Sequence, residues 1–313
     1  MTECIRKKDA PPVYIWGANI ICIFITVLLL LLSSKVKEGV VCGLKLFAFN
    51  ILPTLFPFFI LSDLWQSYFT INENSCLTKT FRHIFHISGI GLYILAISLI
   101  CGFPLGVKAA SEAYRRGALD KKQLQALSGF ANNPSVAFVV SGIGMGIYNS
   151  IYIGIILYII VVFSALIVGV IFRPSFAKQQ NTAFIQRQRF DLVSSIANAG
   201  TTSIRVGSYI VFFCSVITPV TSFSQNQVIS SLFSALCEVG SAATIISKCT
   251  KISFVPKLAL TSFALGFSGT SVHLQTFSFL PTEISKKKYL IMKLLQGAIS
   301  SVISFIFFDL FYK

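Results

Sequence analysis

A cluster of hydrogen-bonding side chains lies in an apolar stretch near the C-terminal end of the chain. The five residues are Ser268, Thr270, Ser271, His273 and Gln275. Their hydroxyl, imidazole and amide groups can bind a polar ligand. An isolated polar group is costly in apolar surroundings unless it is paired. These side chains therefore predict either a binding site or hydrogen bonds between packed membrane helices.

Glu238 is a single acidic residue within an apolar run, with Phe233 before it and Ala242 after it. A carboxylate in a membrane segment indicates a functional site, because it is expensive to keep there without a partner. It could carry a coupling proton, bind a cation, or pair with Lys108 or Arg205, which border other apolar segments. The alternative is an interfacial residue at the end of a helix. We expect Glu238 to supply the charge of a binding site.

Asn132 and Asn133 precede Pro134 in a long stretch without charged residues. This arrangement suits a helix N-cap with proline in the first turn. Only one residue can be the cap, and the amide of the other has two donors and an acceptor that could hydrogen-bond a base or a sugar. We expect Asn132 to face the ligand.

Two apolar segments are interrupted by glycine-rich breaks. The predicted break residues are Gly102, Pro104 and Gly106 in the first segment, and Gly266 and Gly269 in the second. Peptide groups freed inside hydrocarbon are costly unless protein or water satisfies them, so a broken membrane segment usually lines a site. The half-helix that follows presents unpaired N–H groups and the positive end of its dipole. We expect the two breaks to meet near the middle of the membrane and to form a transporter-like cavity.

The composition is that of a helical membrane protein. Of 313 residues, 54% are hydrophobic and 12% are charged, and the mean hydropathy is +0.77, which excludes an ordinary soluble domain. Residues 123–172 hold no charge and have a polar turn at 148–150, which predicts a helical hairpin. With a first helix at 15–32 and six further segments, we expect about seven to nine crossings. The six segments are 40–64, 89–107, 206–220, 228–247, 258–280 and 289–311.

The net charge of +15 comes from Lys and Arg in short segments beside the apolar runs. Such loops orient a membrane protein with its basic side in the cytoplasm, so we expect no nucleic-acid partner. The eight cysteines form no Cys-x-x-Cys pair, and we expect neither a metal nor a cofactor. No hydrolase or phosphate-binding motif is present, so we expect no enzyme. An intramembrane hydrolase that uses Ser268 and His273 is the catalytic alternative.

The spacing of glycines indicates an internal repeat. Gly43 precedes Gly102 by 59 positions, and Gly207 precedes Gly266 by the same number. Interrupted hydrophobic segments at matching positions of two halves are typical of transporters with inverted repeats. We therefore predict an all-α polytopic membrane protein with two repeat-related halves and broken or re-entrant helices. Its regions are an N-terminal membrane helix with flanks (1–39), a first half (40–172), a basic cytoplasmic linker (173–190) and a second half (191–313).

Three phrases carry a resemblance to a known family. They are CGFPLGVK at 101–108, FANNPS at 130–135 and LGFSGTSVHLQ at 265–275. The chain resembles the YlbJ family of sporulation integral membrane proteins over nearly its whole length. The resemblance implies a protein of endospore-forming bacteria that acts in spore cortex formation and carries a nucleoside-recognition gate type of membrane domain. Val136 and Ser268 stand where the family usually has proline and glycine.

Together these observations predict a multi-pass protein of the inner membrane of the sporulating cell that transports a small polar or nucleoside-like solute. Glu238 would supply charge, and Asn132, Ser268 and Gln275 would supply hydrogen bonds. Its partners would be the lipid bilayer, the solute and other sporulation membrane proteins. The alternative is a membrane scaffold that keeps the fold, does not transport, and recruits cortex-assembly proteins.

Overall fold

The structure, a computed structural model, describes residues 33–68, 75–175, 191–224 and 226–312, together with positions 23, 26, 27 and 29–32. These residues form helices and connecting turns and contain no strand. Most of the predicted first helix at 15–32 and most of the 173–190 linker lie outside the described residues. The prediction of an all-α membrane protein is confirmed for the part that the structure describes.

The part before the linker contains seven α-helices and two π-helical segments among the described residues. In chain order they are α1 (Ser33–Lys45), a π-helical segment (Leu46–Ile51), α2 (Leu52–Tyr68), α3 (Cys76–Phe85), α4 (Gly89–Cys101), α5 (Leu105–Arg115), α6 (Lys121–Phe130), a second π-helical segment (Phe138–Met145) and α7 (Ile151–Ile171).

The part after the linker contains six described helices. They are α8 (Leu192–Phe223), α9 (Gln227–Cys237), α10 (Val239–Lys248), α11 (Phe254–Phe267), α12 (Gly269–Phe277) and α13 (Lys286–Phe311). In both parts, two helices broken in the middle are followed by one long unbroken helix. The broken pairs are α4 with α5, α6 with the second π-helical segment, α9 with α10, and α11 with α12; the unbroken helices are α7 and α13.

Three described helices are long and apolar enough to cross a membrane alone, namely α7, α8 and α13. Up to five spans result if two bent pairs, 33–51 with 55–61 and 76–85 with 89–101, each form one span. This number is lower than the seven to nine crossings expected from the sequence. The breaks divide the predicted segments into half-helices of 8 to 14 residues, which are shorter than the roughly 20 residues that a crossing needs.

The outer faces of the long helices are apolar. Ile159 of α7, Phe212 of α8 and Val302 of α13 are each more than half exposed, as expected for side chains in contact with lipid. The charge-free stretch turns at residues 146–150, where the hairpin turn was predicted. The first arm of that hairpin is broken at residues 131–135, which the sequence interpretation did not anticipate.

Candidate functional site

The first predicted break separates α4 from α5. Gly102 has a φ of 80°, a backbone conformation that favours glycine. A Cβ atom at Gly102 would lie 2.7 Å from the main-chain nitrogen of Ser135. The α4–α5 break therefore crosses the break at residues 131–135 in direct contact. Pro104 is the last residue before α5, whereas Gly106 lies within α5 and is not part of the break.

The second predicted break separates α11 from α12. Ser268 and Gly269 have φ values of 76° and 69°. A Cβ atom at Gly269 would lie 3.1 Å from the carbonyl carbon of Cys237, so this break crosses the junction of α9 and α10. Gly266 was predicted as a break residue but lies within α11, where it packs closely against Ser300 of α13. Small residues at such contacts let two helices approach.

Glu238 forms the junction between α9 and α10 and is 4% exposed. Its Oε1 accepts a hydrogen bond from the Gly240 N–H over 2.9 Å, and its Oε2 accepts one from the Ser241 N–H over 2.6 Å. The carboxylate thus caps α10 at the positive end of its dipole. Glu238 lies where one helix ends and the next begins, and this junction is buried within the protein.

Pairing with Lys108 or Arg205 was one of the possibilities considered for Glu238, and it does not occur. The ion pairs among the described residues join Lys35 to Glu38, and Glu112 to Arg115 and Arg116. The guanidinium of Arg205 lies 5.2 Å from the ring centre of Phe279. Backbone N–H groups, rather than a basic side chain, therefore satisfy the carboxylate.

A small cavity lies between the two helix crossings. Its lining residues are Ile51, Leu55, Gly102, Phe103, Ser135, Phe138, Val206, Ile210, Glu238, Val239, Ser271, Val272 and Gln275. Its volume is about 30 Å³, which is room for about two water molecules. Gln275 is 2% exposed and its Oε1 has no hydrogen-bond partner, while its Nε2 donates to Ser271 Oγ over 3.4 Å. One cavity thus brings together Gly102 of the first break and, from the half-helix that follows the second break, Ser271 and Gln275.

Asn132 lies outside the cavity, in a buried polar cluster with Thr276 and Tyr289. The Asn132 Nδ2 donates to Thr276 Oγ1 over 2.9 Å and to the Tyr289 hydroxyl over 3.0 Å. His273 Nδ1 lies 3.0 Å from the same hydroxyl. Two acceptor or donor atoms of this cluster, Asn132 Oδ1 and His273 Nε2, have no hydrogen-bond partner. The cluster joins the 131–135 break to α12 and α13.

Lys293 extends this cluster and is fully buried in α13. Its Nζ donates to the main-chain oxygen of Asn132 over 2.9 Å and to Gln296 Oε1 over 2.7 Å. Gln296 Nε2 in turn donates to Asn133 Oδ1 over 2.8 Å. Our sequence interpretation missed Lys293, although a lysine and a glutamine within the predicted 289–311 segment are the signal that would have found it.

The predicted use of an asparagine as the N-cap before Pro134 is wrong. Ser135 is the cap, since its Oγ accepts from the Phe138 N–H over 3.2 Å. Asn133 instead donates from Nδ2 to the Phe130 carbonyl over 2.7 Å, which satisfies the end of α6. Both asparagines therefore bond to other parts of the fold because the chain between α6 and residue 136 is non-helical and buried.

Two of the predicted hydroxyl ligands serve helix ends. Ser268 Oγ donates to the Leu265 carbonyl over 3.3 Å, and Thr270 Oγ1 donates to the Leu236 carbonyl over 2.8 Å. Neither residue lines the cavity. Of the predicted site residues, Glu238, Ser271 and Gln275 meet at the cavity, and Asn132, Asn133 and His273 meet in the polar cluster.

The chain is similar to the sporulation integral membrane protein YlbJ of Bacillus subtilis (strain 168). The two are 26% identical over 306 residues, which covers 83% of this chain and 74% of that protein. This similarity supports the resemblance to the YlbJ family that the three sequence phrases indicated. No family model and no solved structure matches the chain. With its apolar helices, the chain is a multi-pass integral membrane protein, as predicted.

Proposed function

We propose that this protein is a sporulation-associated, non-catalytic transporter whose solute site is the cavity between the two helix crossings. The observation that carries the proposal is that Glu238 and Gln275 line one cavity with the Gly102 break, and that the buried Oε1 of Gln275 has no hydrogen-bond partner. Buried polar groups in a membrane protein are costly unless they serve a ligand or a partner. Broken helices at such a cavity are the arrangement that transporters use to bind solutes.

The lining of the cavity supports a solute that has both polar and apolar groups. Glu238, Ser271 and Gln275 supply the polar side. Phe103 and Phe138, whose ring centres lie 6.5 Å apart with their planes at 66°, supply aromatic surface that the ring of a solute can contact. A nucleoside-like solute has both kinds of group. It is larger than about 30 Å³, so its binding requires the half-helices to separate.

The order of the broken helices supports two repeat-related halves. In this proposal α4–α5 corresponds to α9–α10, the broken helix that begins with α6 corresponds to α11–α12, and α7 corresponds to α13. This pairing matches Gly102 with Glu238, whereas the glycine spacing had matched Gly102 with Gly266. Inverted halves that cross at their breaks would place one site at the centre, as in known repeat transporters.

The similarity to a sporulation integral membrane protein supports a role in spore formation, and cortex formation is the step that the family resemblance implies. The direct test of transport is solute uptake by the full chain in liposomes. The probes are labelled nucleosides and nucleobases, with small sugars and amino acids beside them. We expect saturable uptake of one class, and loss of that uptake in Glu238→Gln and in Gln275→Leu.

Thr270→Val is the matched control, because Thr270 is a predicted site residue that does not line the cavity. It should keep the uptake of the parent protein. Sporulation is tested by expressing each variant in a Bacillus subtilis strain that lacks the similar protein. Normal spore cortex with Glu238→Gln, together with no uptake of any probe by the parent, would overturn transport and favour the scaffold.

A further inference from the structure

Lys293 is a buried cation without an acidic partner among the described residues. The helices packed most extensively against α13 are α6, α7 and α11, and none of the three contains Asp or Glu. The 131–135 break and α12 contain none either. Within α13 the only acid is Asp309, 16 positions further on, which is roughly 24 Å along the helix. An ammonium group in such a place is normally paired with a carboxylate.

The titratable groups around Lys293 are few. His273 of α12 and Tyr289 of α13 belong to its own polar cluster. The basic residues of the packed helices are Lys121 and Lys122 at the start of α6 and Lys257 near the start of α11. Tyr152 and Tyr158 are the titratable groups of α7, and the hydroxyl of Tyr158 donates to the Leu99 carbonyl over 2.8 Å. No described group therefore provides a negative charge for Lys293.

The end of α6 takes the place of the missing acid. This helix ends at Phe130, and Lys293 Nζ donates to the carbonyl of Asn132 just beyond that end. The C-terminal end of a helix carries partial negative charge, and unwound carbonyls at such ends coordinate cations in transporters. The ammonium group of Lys293 thus occupies the position at a helix break where such transporters bind a free cation. Glu238 is its counterpart, since it places an anion at the N-terminal end of α10.

We propose that Lys293 is a proton-binding site, and that its protonation determines whether the 131–135 break stays closed against α13. The ammonium form donates to Asn132 and Gln296 and closes the break. Loss of one proton to solvent leaves a neutral amine with two N–H groups and a lone pair, which holds two acceptors less well. The break contains Ser135, which lines the cavity, so opening would change the cavity itself.

This inference deepens the proposed function, because it names the proton as the ion coupled to transport. The coupling to transport rests on the proposed function, whereas proton binding by Lys293 does not. The test needs no solute. Hydrogen–deuterium exchange of the peptide that spans residues 128–140 is measured on the full chain in detergent, from about pH 5 to about pH 10. Rates are corrected for the intrinsic pH dependence of amide exchange.

For the parent protein we expect slow exchange at the low end and about ten- to hundredfold faster exchange at the high end, the factor expected when hydrogen bonds to a charged group are lost. Lys293→Arg should exchange slowly at every pH, because guanidinium stays protonated. Lys293→Met should exchange fast at every pH. If Lys293→Met does not fold, the difference in pH dependence between the parent and Lys293→Arg is sufficient to test the proposal.

Two controls separate Lys293 from other groups. Lys257→Met removes a lysine that donates to the Ser247 carbonyl over 2.9 Å, and it should keep the pH profile of the parent. His273→Gln removes the neighbouring imidazole and should also keep that profile. A profile that is flat in the parent, that is equal in the parent and Lys293→Arg, or that disappears in His273→Gln would overturn the proposal.

Discussion

Gly102 and Ser135 touch where the two broken helices of the first part cross. A Cβ atom at Gly102 would lie 2.7 Å from the Ser135 nitrogen and 2.9 Å from its side-chain Cβ. Real Cβ atoms do not come this close to a backbone atom. The crossing is possible only because position 102 has no side chain, and the cavity lies beside this contact.

Gly102→Ala should therefore destabilise the protein by about 3 kcal/mol or more, from overlap added to a positive φ. Gly117→Ala is the matched control, since Gly117 has a φ of 75° but no atom within 4 Å of the position that a methyl group would occupy. We expect that control to cost only about 1–2 kcal/mol. The measurement is the midpoint of thermal unfolding in detergent, and equal losses would show that the crossing is looser than the structure indicates.

The hydroxyl of Tyr289 has three neighbours in the polar cluster, Asn132, Thr276 and His273. Tyr289→Phe removes it and leaves buried groups without a partner, which should cost about 1–3 kcal/mol of unfolding free energy. Tyr158→Phe, which loses a single bond to the Leu99 carbonyl, should cost about 1 kcal/mol. A larger loss in Tyr158→Phe would contradict the proposed importance of the cluster.

Glu238 and Asp191 cap their helices in the same way, because each carboxylate accepts two backbone N–H groups. Glu238 is buried at the cavity, whereas Asp191 is exposed. Glu238→Gln and Asp191→Asn each keep one acceptor oxygen for the cap and should each cost less than about 1 kcal/mol of stability. Only Glu238→Gln should reduce solute uptake in liposomes, by about tenfold or more. If both variants changed uptake equally, Glu238 would have only the structural role of a helix cap.

Gly266 holds α11 close to α13. A Cβ atom there would lie 2.7 Å from Ser300 Oγ and 3.0 Å from the Gln296 carbonyl, so Gly266→Ala should destabilise by about 1–3 kcal/mol. Gly200 of α8 has open space around it, and Gly200→Ala should be neutral or stabilising by about 0.5–1 kcal/mol. Thermal unfolding of both variants tests the contrast. If Gly266→Ala left the stability unchanged, α11 would have to lie further from α13 than the structure shows.

The sequence located the helix breaks where the conformation of a single residue decides them. The structure interrupts its helices at Gly102 and at Ser268–Gly269, inside the two glycine-rich phrases, because these positions adopt positive φ values that glycine favours. Gly106 and Gly266 belong to the same phrases but are helical, since glycine serves close packing as readily as a break. Residue type alone does not distinguish the two uses.

The breaks at 131–135 and at Glu238 were not predicted as breaks. Proline after two asparagines resembled the start of a helix, but Ser135 performs the capping. Glu238 caps a new helix with its own side chain, which a hydropathy pattern does not reveal. Lys293 was overlooked because a lysine near the start of a membrane helix usually extends to the interface, and only the surrounding helices show that this one is buried.

The sequence by itself determined a helical, multi-pass membrane protein, because the length and apolarity of its segments decide their transfer into a bilayer without reference to any neighbour. Only the tertiary structure decided which breaks cross, and that Lys293 reaches the carbonyl of Asn132, 161 positions earlier in the chain. Hydropathy specifies that a helix is in the membrane. It does not specify which face of the helix contacts lipid and which contacts another helix, because lipid tails and apolar side chains are equally apolar. Close packing and hydrogen bonds between distant residues select the partner helices.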